Sequence, residues 1–176
     1  MSRGSTLVAV DTNFLLDLAV PKDKAHDTVE IIRQRVPGVE FVVLPTVIDE
    51  LDFIFQHGDT AADCTLATEA LRRLVRVWKF RPIDFLPVGH GIVESIAAKL
   101  RDQHLIPEEE VNDSFILAEA ALADCAILVT SDEHLRGADP TLLSLALKSC
   151  DVGVVVVRTP IELRSEEHTS ELQSQR

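Results

Sequence analysis

With 176 residues, 46% of them hydrophobic but only 5% aromatic, the chain suits one domain with an aliphatic core and is short for two. A net charge of −12 argues against holding nucleic acid by bulk positive charge, yet is compatible with an acidic site neutralised by divalent cations. No apolar run reaches the roughly 20 residues that cross a bilayer, no signal-peptide pattern opens the chain, and Cys64, Cys125 and Cys150 lack metal-ligand spacing, so a cytoplasmic protein with reduced thiols and no membrane segment is expected.

The first element is Leu7-Val8-Ala9-Val10, short, apolar and rich in β-branched residues, which reads as a buried parallel strand. It stops at Asp11-Thr12-Asn13, and a helix is expected over 13–20, broken at Pro21. A second helix follows over about 24–36, ended by Pro37-Gly38. Phe41-Val42-Val43-Leu44 is a second strand, closed by Pro45. Thr46 reads as the N-cap of a helix carrying Val47, Ile48, Leu51, Ile54 and Phe55, with Asp49 completing a capping box and Glu50 one turn in.

After the turn His57-Gly58-Asp59, a helix is expected over about 60–80, with a basic end at Arg72, Arg73, Arg76, Lys79 and Arg81. A connector over 82–91 holds a short extended piece at 83–86. The next helix carries Ile92, Val93, Ile96, Ala97 and Leu100. The acidic loop 104–111 leads to Asn112, a candidate cap for a helix with Asp113 in its first turn. Ala126-Ile127-Leu128-Val129 is another short strand, ending in Thr130-Ser131-Asp132. A helical turn, a helix through Leu147 and a final strand over 152–157 complete the domain. Short buried strands alternating with helices give an α/β layout with a mostly parallel sheet.

Four carboxylates stand out. Asp11 and Asp132 each follow a strand, so a parallel sheet places both at its carboxyl edge, where open α/β sheets bind ligands. Glu50 and Asp113 sit on helices able to dock at that edge. Each has a plainer explanation alone: Asp11 as a helix cap, Asp132 as a turn residue, and Glu50 and Asp113 as partners of a helix dipole. Jointly they would repel and hold raised pKa values unless cations bind, and oxygen-only ligands select Mg²⁺ or Mn²⁺ over zinc. Thr12, Asn13, Thr130 and Ser131 offer groups to orient them.

Asp11-Thr12-Asn13-Phe14-Leu15-Leu16 resembles the opening motif of PIN-domain nucleases. Thr46-Val47-Ile48-Asp49-Glu50-Leu51 is similar to that family's second motif, Asn112-Asp113-Ser114-Phe115-Ile116-Leu117-Ala118 to its third, and Val129-Thr130-Ser131-Asp132 to its fourth. The resemblance runs in order from Leu7 to about Val157, with a longer middle between Gly58 and Gly91. It implies a three-layer, Rossmann-like α/β/α sandwich. It also implies Mg²⁺- or Mn²⁺-dependent cleavage of RNA, with Asp11, Glu50, Asp113 and Asp132 as catalytic metal ligands. Small bacterial members resemble the toxin half of toxin–antitoxin pairs, the VapC type, and so imply an antitoxin partner and a homodimer.

Two other functions compete. A non-catalytic PIN-like module would bind RNA or protein without cutting. An aspartate-phosphorylating enzyme would need a second Asp two residues after Asp11, where Asn13 stands. Arg72, Arg73, Arg76 and Lys79, with Trp78 and Phe80 interleaved, read either as a phosphate-tracking strip or as a solvated face with Trp78 in the core. His134 is near enough to Asp132 to reach a phosphate, and is equally a surface histidine. From Arg164 onward the sequence resembles the in-frame translation of a sequencing adapter. The domain is therefore placed at 1–163, with 164–176 expected to be a disordered appendage without function.

Overall fold

The computed structural model describes residues 4–21 and 23–166. Five strands form one sheet: β1 (Thr6–Val10), β2 (Val39–Val43), β3 (Arg81–Pro82), β4 (Ile127–Val129) and β5 (Val156–Arg158), in the order β3-β2-β1-β4-β5. Every pairing is parallel. Val8, Ala9 and Val10 are all fully buried. Successive strand side chains point to opposite faces, so helices must cover both faces of the sheet, as a three-layer α/β sandwich requires.

The helices are α1 (Thr12–Ala19), α2 (Asp23–Arg35), α3 (Pro45–His57), α4 (Ala61–Leu74), α5 (Pro87–Asp102), α6 (Val111–Leu122), α7 (Glu133–Gly137) and α8 (Pro140–Lys148). Phe14, Leu15 and Leu18 put one side of α1 into the core. Buried positions on α6 run almost without interruption from Ile116 to Ala121, which marks a helix enclosed on most sides.

Several local expectations are corrected. Thr46 does not cap α3: Pro45 occupies the first turn, where its missing N–H costs nothing, and the capping position falls to Leu44 with no side-chain bond. Glu50 therefore lies beyond the first turn, and the helix-dipole explanation for it lapses. Asn112 is already inside α6, whose capping residue is Glu110. The helix expected over 60–80 ends at Leu74, and Lys79 turns the chain in the left-handed region at φ 60°. Its start is built by the Thr60–Asp63 capping box. The third strand is at Arg81–Pro82, just before the expected extended piece. The last strand pairs only from Val156.

The expected disordered appendage begins inside a helix. Residues 160–166 are helical, and Arg164 Nη1 donates to the Lys24 carbonyl at 2.9 Å. The rest of that segment, 167–176, lies outside the described residues. Trp78 is buried, as the plainer reading had it, and packs near Phe80, whose ring stacks on Phe41 at 4.7 Å.

Candidate active site

β1 lies between β2 and β4, and the chain leaves β1 toward β2 while β4 pairs on the other side. That reversal opens a crevice at the carboxyl ends of β1 and β4. The Asp11 N–H donates to the Val129 carbonyl at 3.1 Å, so the ends of the two strands are level. Asp11 and Asp132 emerge there together.

Asp11 is both a cap and a residue of the cleft lining. Its Oδ1 accepts from the Phe14 N–H at 2.8 Å, capping α1, and its Oδ2 accepts from the Thr130 hydroxyl. The same hydroxyl accepts from the Asp132 N–H at 2.9 Å. Asp132 Oδ1 in turn caps α7 through the His134 N–H at 2.8 Å. The plainer readings of Asp11 and Asp132 thus hold: each carboxyl caps the helix that follows it. Asp11 is 3% exposed. Burial pushes its carboxyl up to about 6, against the Thr130 and Phe14 hydrogen bonds and with a further rise from Asp132.

Glu50 is held from two sides. The Thr12 hydroxyl donates to Oε2, and Asn112 Nδ2 donates to Oε1 at 2.9 Å. Asp113 is different. Its Oδ2 is buried with no hydrogen-bond partner among the described residues. Burial pushes its carboxyl up to about 7, joined by the charges of Asp132, Glu110 and Glu50 and opposed by His134. An orphaned carboxylate oxygen among other carboxylates is a position that a cation would satisfy.

All four acids line one open cleft of about 1010 Å³, with Thr12 and Asn13 beside them. Ser131 faces a neighbouring cavity with Lys24 and Arg136 instead. As arranged, no three His, Cys, Asp or Glu side chains among the described residues stand close enough to hold one metal ion. The donor set itself, oxygen throughout, suits a hard divalent cation.

Asp49, Glu109 and Glu110 also line the cleft, and the acidic loop is therefore partly a cleft rim. Glu110 Oε1 lies 3.4 Å from His134 Nε2. Glu119 was missed altogether. It is 2% exposed and takes the Thr46 N–H and hydroxyl. Its signal was a lone acid in the apolar run Ile116-Leu117-Ala118-Glu119-Ala120-Ala121, since unpaired charges are almost never buried.

The basic run is elsewhere. Arg33, in the last turn of α2, donates to the Trp78 carbonyl at 2.6 Å, and residues 72–79 lead into β3. The entry to a parallel strand lies at the amino edge of the sheet, opposite the acids. Arg72, Arg73, Arg76 and Lys79 are absent from the described lining of the acidic cleft.

A parallel α/β sandwich with four acids lining one cleft at its carboxyl edge defines a Rossmann-like fold with an acidic cleft. The chain belongs to the PIN domain family, which it matches over residues 8–139. PIN domains are generally nucleases that use divalent metal ions. No curated protein matches the sequence. Its fold is similar to a chain of VapBC2 from Rickettsia felis bound to a DNA fragment from their promoter, with TM-score 0.59 and 14% identity over 88% of this chain and 98% of that one. A FitAB structure bound to an IR36 DNA fragment gives TM-score 0.55 and 14% identity, over 87% and 94%. FitAcB from Neisseria gonorrhoeae gives 0.51 and 14%, over 87% and 97%.

Proposed function

We propose that the chain is a Mg²⁺- or Mn²⁺-dependent endoribonuclease in which Asp11, Glu50, Asp113 and Asp132 form the catalytic metal site. The observation that carries this reading is the buried, unpartnered Asp113 Oδ2 in a cleft shared with the other three acids. A bound divalent ion supplies an activated water and charge neutralisation at the scissile phosphate. The protein's own part is positioning. Thr130 orients Asp11 and the Asp132 backbone together, and Thr12 and Asn112 fix both oxygens of Glu50. Such outer partners preorganise ligands that would otherwise repel.

The test is cleavage of a mixed, end-labelled RNA pool with Mn²⁺, with Mg²⁺ and with EDTA, beside an Asp11→Asn control. Cutting that needs metal and is lost in the control is expected. Cutting that survives both EDTA and Asp11→Asn would refute the assignment, and metal binding without any cutting would favour a non-catalytic PIN-like module.

The likeness of fold to VapBC2, FitAB and FitAcB supports reading the chain as a cytoplasmic toxin with an antitoxin partner, itself a homodimer. A small open reading frame directly upstream whose product co-purifies with this chain is the expected finding, and light scattering checks the dimer. The three thiols, free in the structure, and the absence among the described residues of a helix long and apolar enough to cross a membrane are compatible with that compartment.

A further inference from the structure

The acidic cleft has a second character. Beside its carboxylates it is also lined by Phe53, Ile54, Val111 and Phe115. Phe53 is 63% exposed, although it projects from α3 only three residues beyond Glu50, on neighbouring positions of one helix face. Its ring lies 5.2 Å from the His57 ring, tilted by 51°, and that contact one turn along steadies its orientation. No lysine, arginine or histidine is among the described residues lining the cleft, and the basic run sits at the opposite edge of the sheet. A polyanion therefore meets no lysine or arginine in the cleft lining, and the basic groups beside that lining are His134, next to Glu110, and His57, next to Phe53. Much of its affinity at that point has to come from bound cations and from contacts that do not depend on charge. Every nucleobase offers a flat π-face, and stacking on an aromatic ring is worth about 1–3 kcal/mol per base and tolerates sequence.

We propose that Phe53 is a stacking platform that positions an unpaired base beside the acidic centre. The inference rests on the nuclease reading for the identity of its ligand. A paired base inside a duplex has both faces covered and cannot use the ring. Phe53 acts here as a positioning and specificity residue.

The experiment is a fluorescence titration of a single-stranded oligoribonucleotide carrying a fluorescent purine analogue. It uses the full Asp11→Asn chain in Mg²⁺, so that the probe stays intact. Binding with quenching of the analogue is expected, and a fully paired probe should show neither. Adding Phe53→Ala should weaken binding about 5- to 150-fold, the equivalent of one stacked base. Phe53→Trp should restore it, and Phe53→Leu, apolar but without a ring, should not. The side chain is exposed, so the variants should melt with the parent.

Unchanged binding by Phe53→Ala overturns the proposal. Rescue by Leu as complete as by Trp overturns stacking. The two readings fail separately. A native chain that binds and quenches but cuts nothing removes the nuclease and keeps the platform. One that cuts RNA with the same KM after Phe53→Ala keeps the nuclease and removes the platform.

Discussion

Glu119 on α6 holds Thr46 on α3 by three bonds: the Thr46 hydroxyl to Oε1 at 2.8 Å, and the Thr46 N–H to Oε1 at 3.3 Å and Oε2 at 3.1 Å. The capping position of α3 has no side-chain bond of its own, so a carboxylate from another helix satisfies an orphan N–H of its first turn. Those two helices supply Glu50 and Asp113. Glu119→Ala should leave a half-buried N–H and hydroxyl without this acceptor, costing about 1 kcal/mol of stability. Glu119→Gln, which still presents an acceptor, should recover most of that in a denaturant titration at neutral pH. Equal losses for Ala and Gln would mean that the bonds are not what matters.

The same carboxyl makes stability depend on pH. Burial pushes Glu119 up to about 7 from an unfolded value of 4.5, against the Thr46 bonds. A raised acid binds more protons folded than unfolded, so its stabilising contribution is full below about 4.5 and is lost as pH rises through 7. Asp11, rising to about 6, acts in the same direction. In EDTA, melting temperature should fall between pH 5 and 8, and Glu119→Gln should flatten part of that slope. A slope unchanged by the substitution would remove Glu119 as its source.

Thr130 is the hinge between the two strand-end acids. It is fully buried, donates to Asp11 and accepts from the Asp132 N–H. Thr130→Val keeps shape and loses both bonds, at about 1–3 kcal/mol. It should also lower kcat for RNA by about 10- to 100-fold through misplaced carboxylates. Thr130→Ser, which keeps the hydroxyl, should restore kcat even where stability stays low. Loss of kcat in both variants alike would point to packing rather than to the hydrogen bonds.

The strands at 7–10, 41–44 and 126–129 were legible because continuous β-branched runs have few other uses, and a parallel order of such strands puts Asp11 and Asp132 on one edge. The four acids were legible as a set because each is tied to its own element. The links between elements were not. Thr46 carries every local mark of a helix cap, yet it serves Glu119, 73 residues away. Asn112 likewise caps nothing and reaches Glu50. Short polar side chains satisfy local or distant groups equally well, and only the tertiary packing decides. Phe53 carries no mark in the sequence that sets it apart, and its exposure follows from its place on the open cleft.

Asp113 yields a prediction about metal. With Oδ2 unpartnered and its carboxyl pushed up to about 7 from 3.8, the ionised form is unfavourable in the ion-free protein. Mn²⁺ at roughly 100 times its Kd should stabilise the chain by about 2.7 kcal/mol. Asp113→Asn should raise the melting temperature in EDTA at pH 8 and abolish most of the Mn²⁺ response. At pH 5, where Asp113 is protonated in the folded chain but still ionised in the unfolded one, the gap between variant and parent should be smaller than at pH 8, and it should close only below about 3.8. An undiminished Mn²⁺ response in Asp113→Asn would exclude it as a ligand.

The position of the basic run gives the last prediction. Arg72 and Arg73 are paired with Glu69 on the same helix at 3.2 Å and 3.1 Å, and the run lies at the amino edge of the sheet. Surface pairs of this kind are worth at most about 1 kcal/mol, so neutralising Arg76 and Lys79 together should leave both stability and the KM for a short single-stranded RNA within about twofold. If the run instead tracks the backbone of a longer substrate, the KM of a long RNA should rise while that of the short one stays fixed. The slope of log KM against log salt should then shrink by about one for each lost phosphate contact. Comparing one short and one long substrate at two salt concentrations therefore decides whether the opposite edge of the molecule takes part in binding at all.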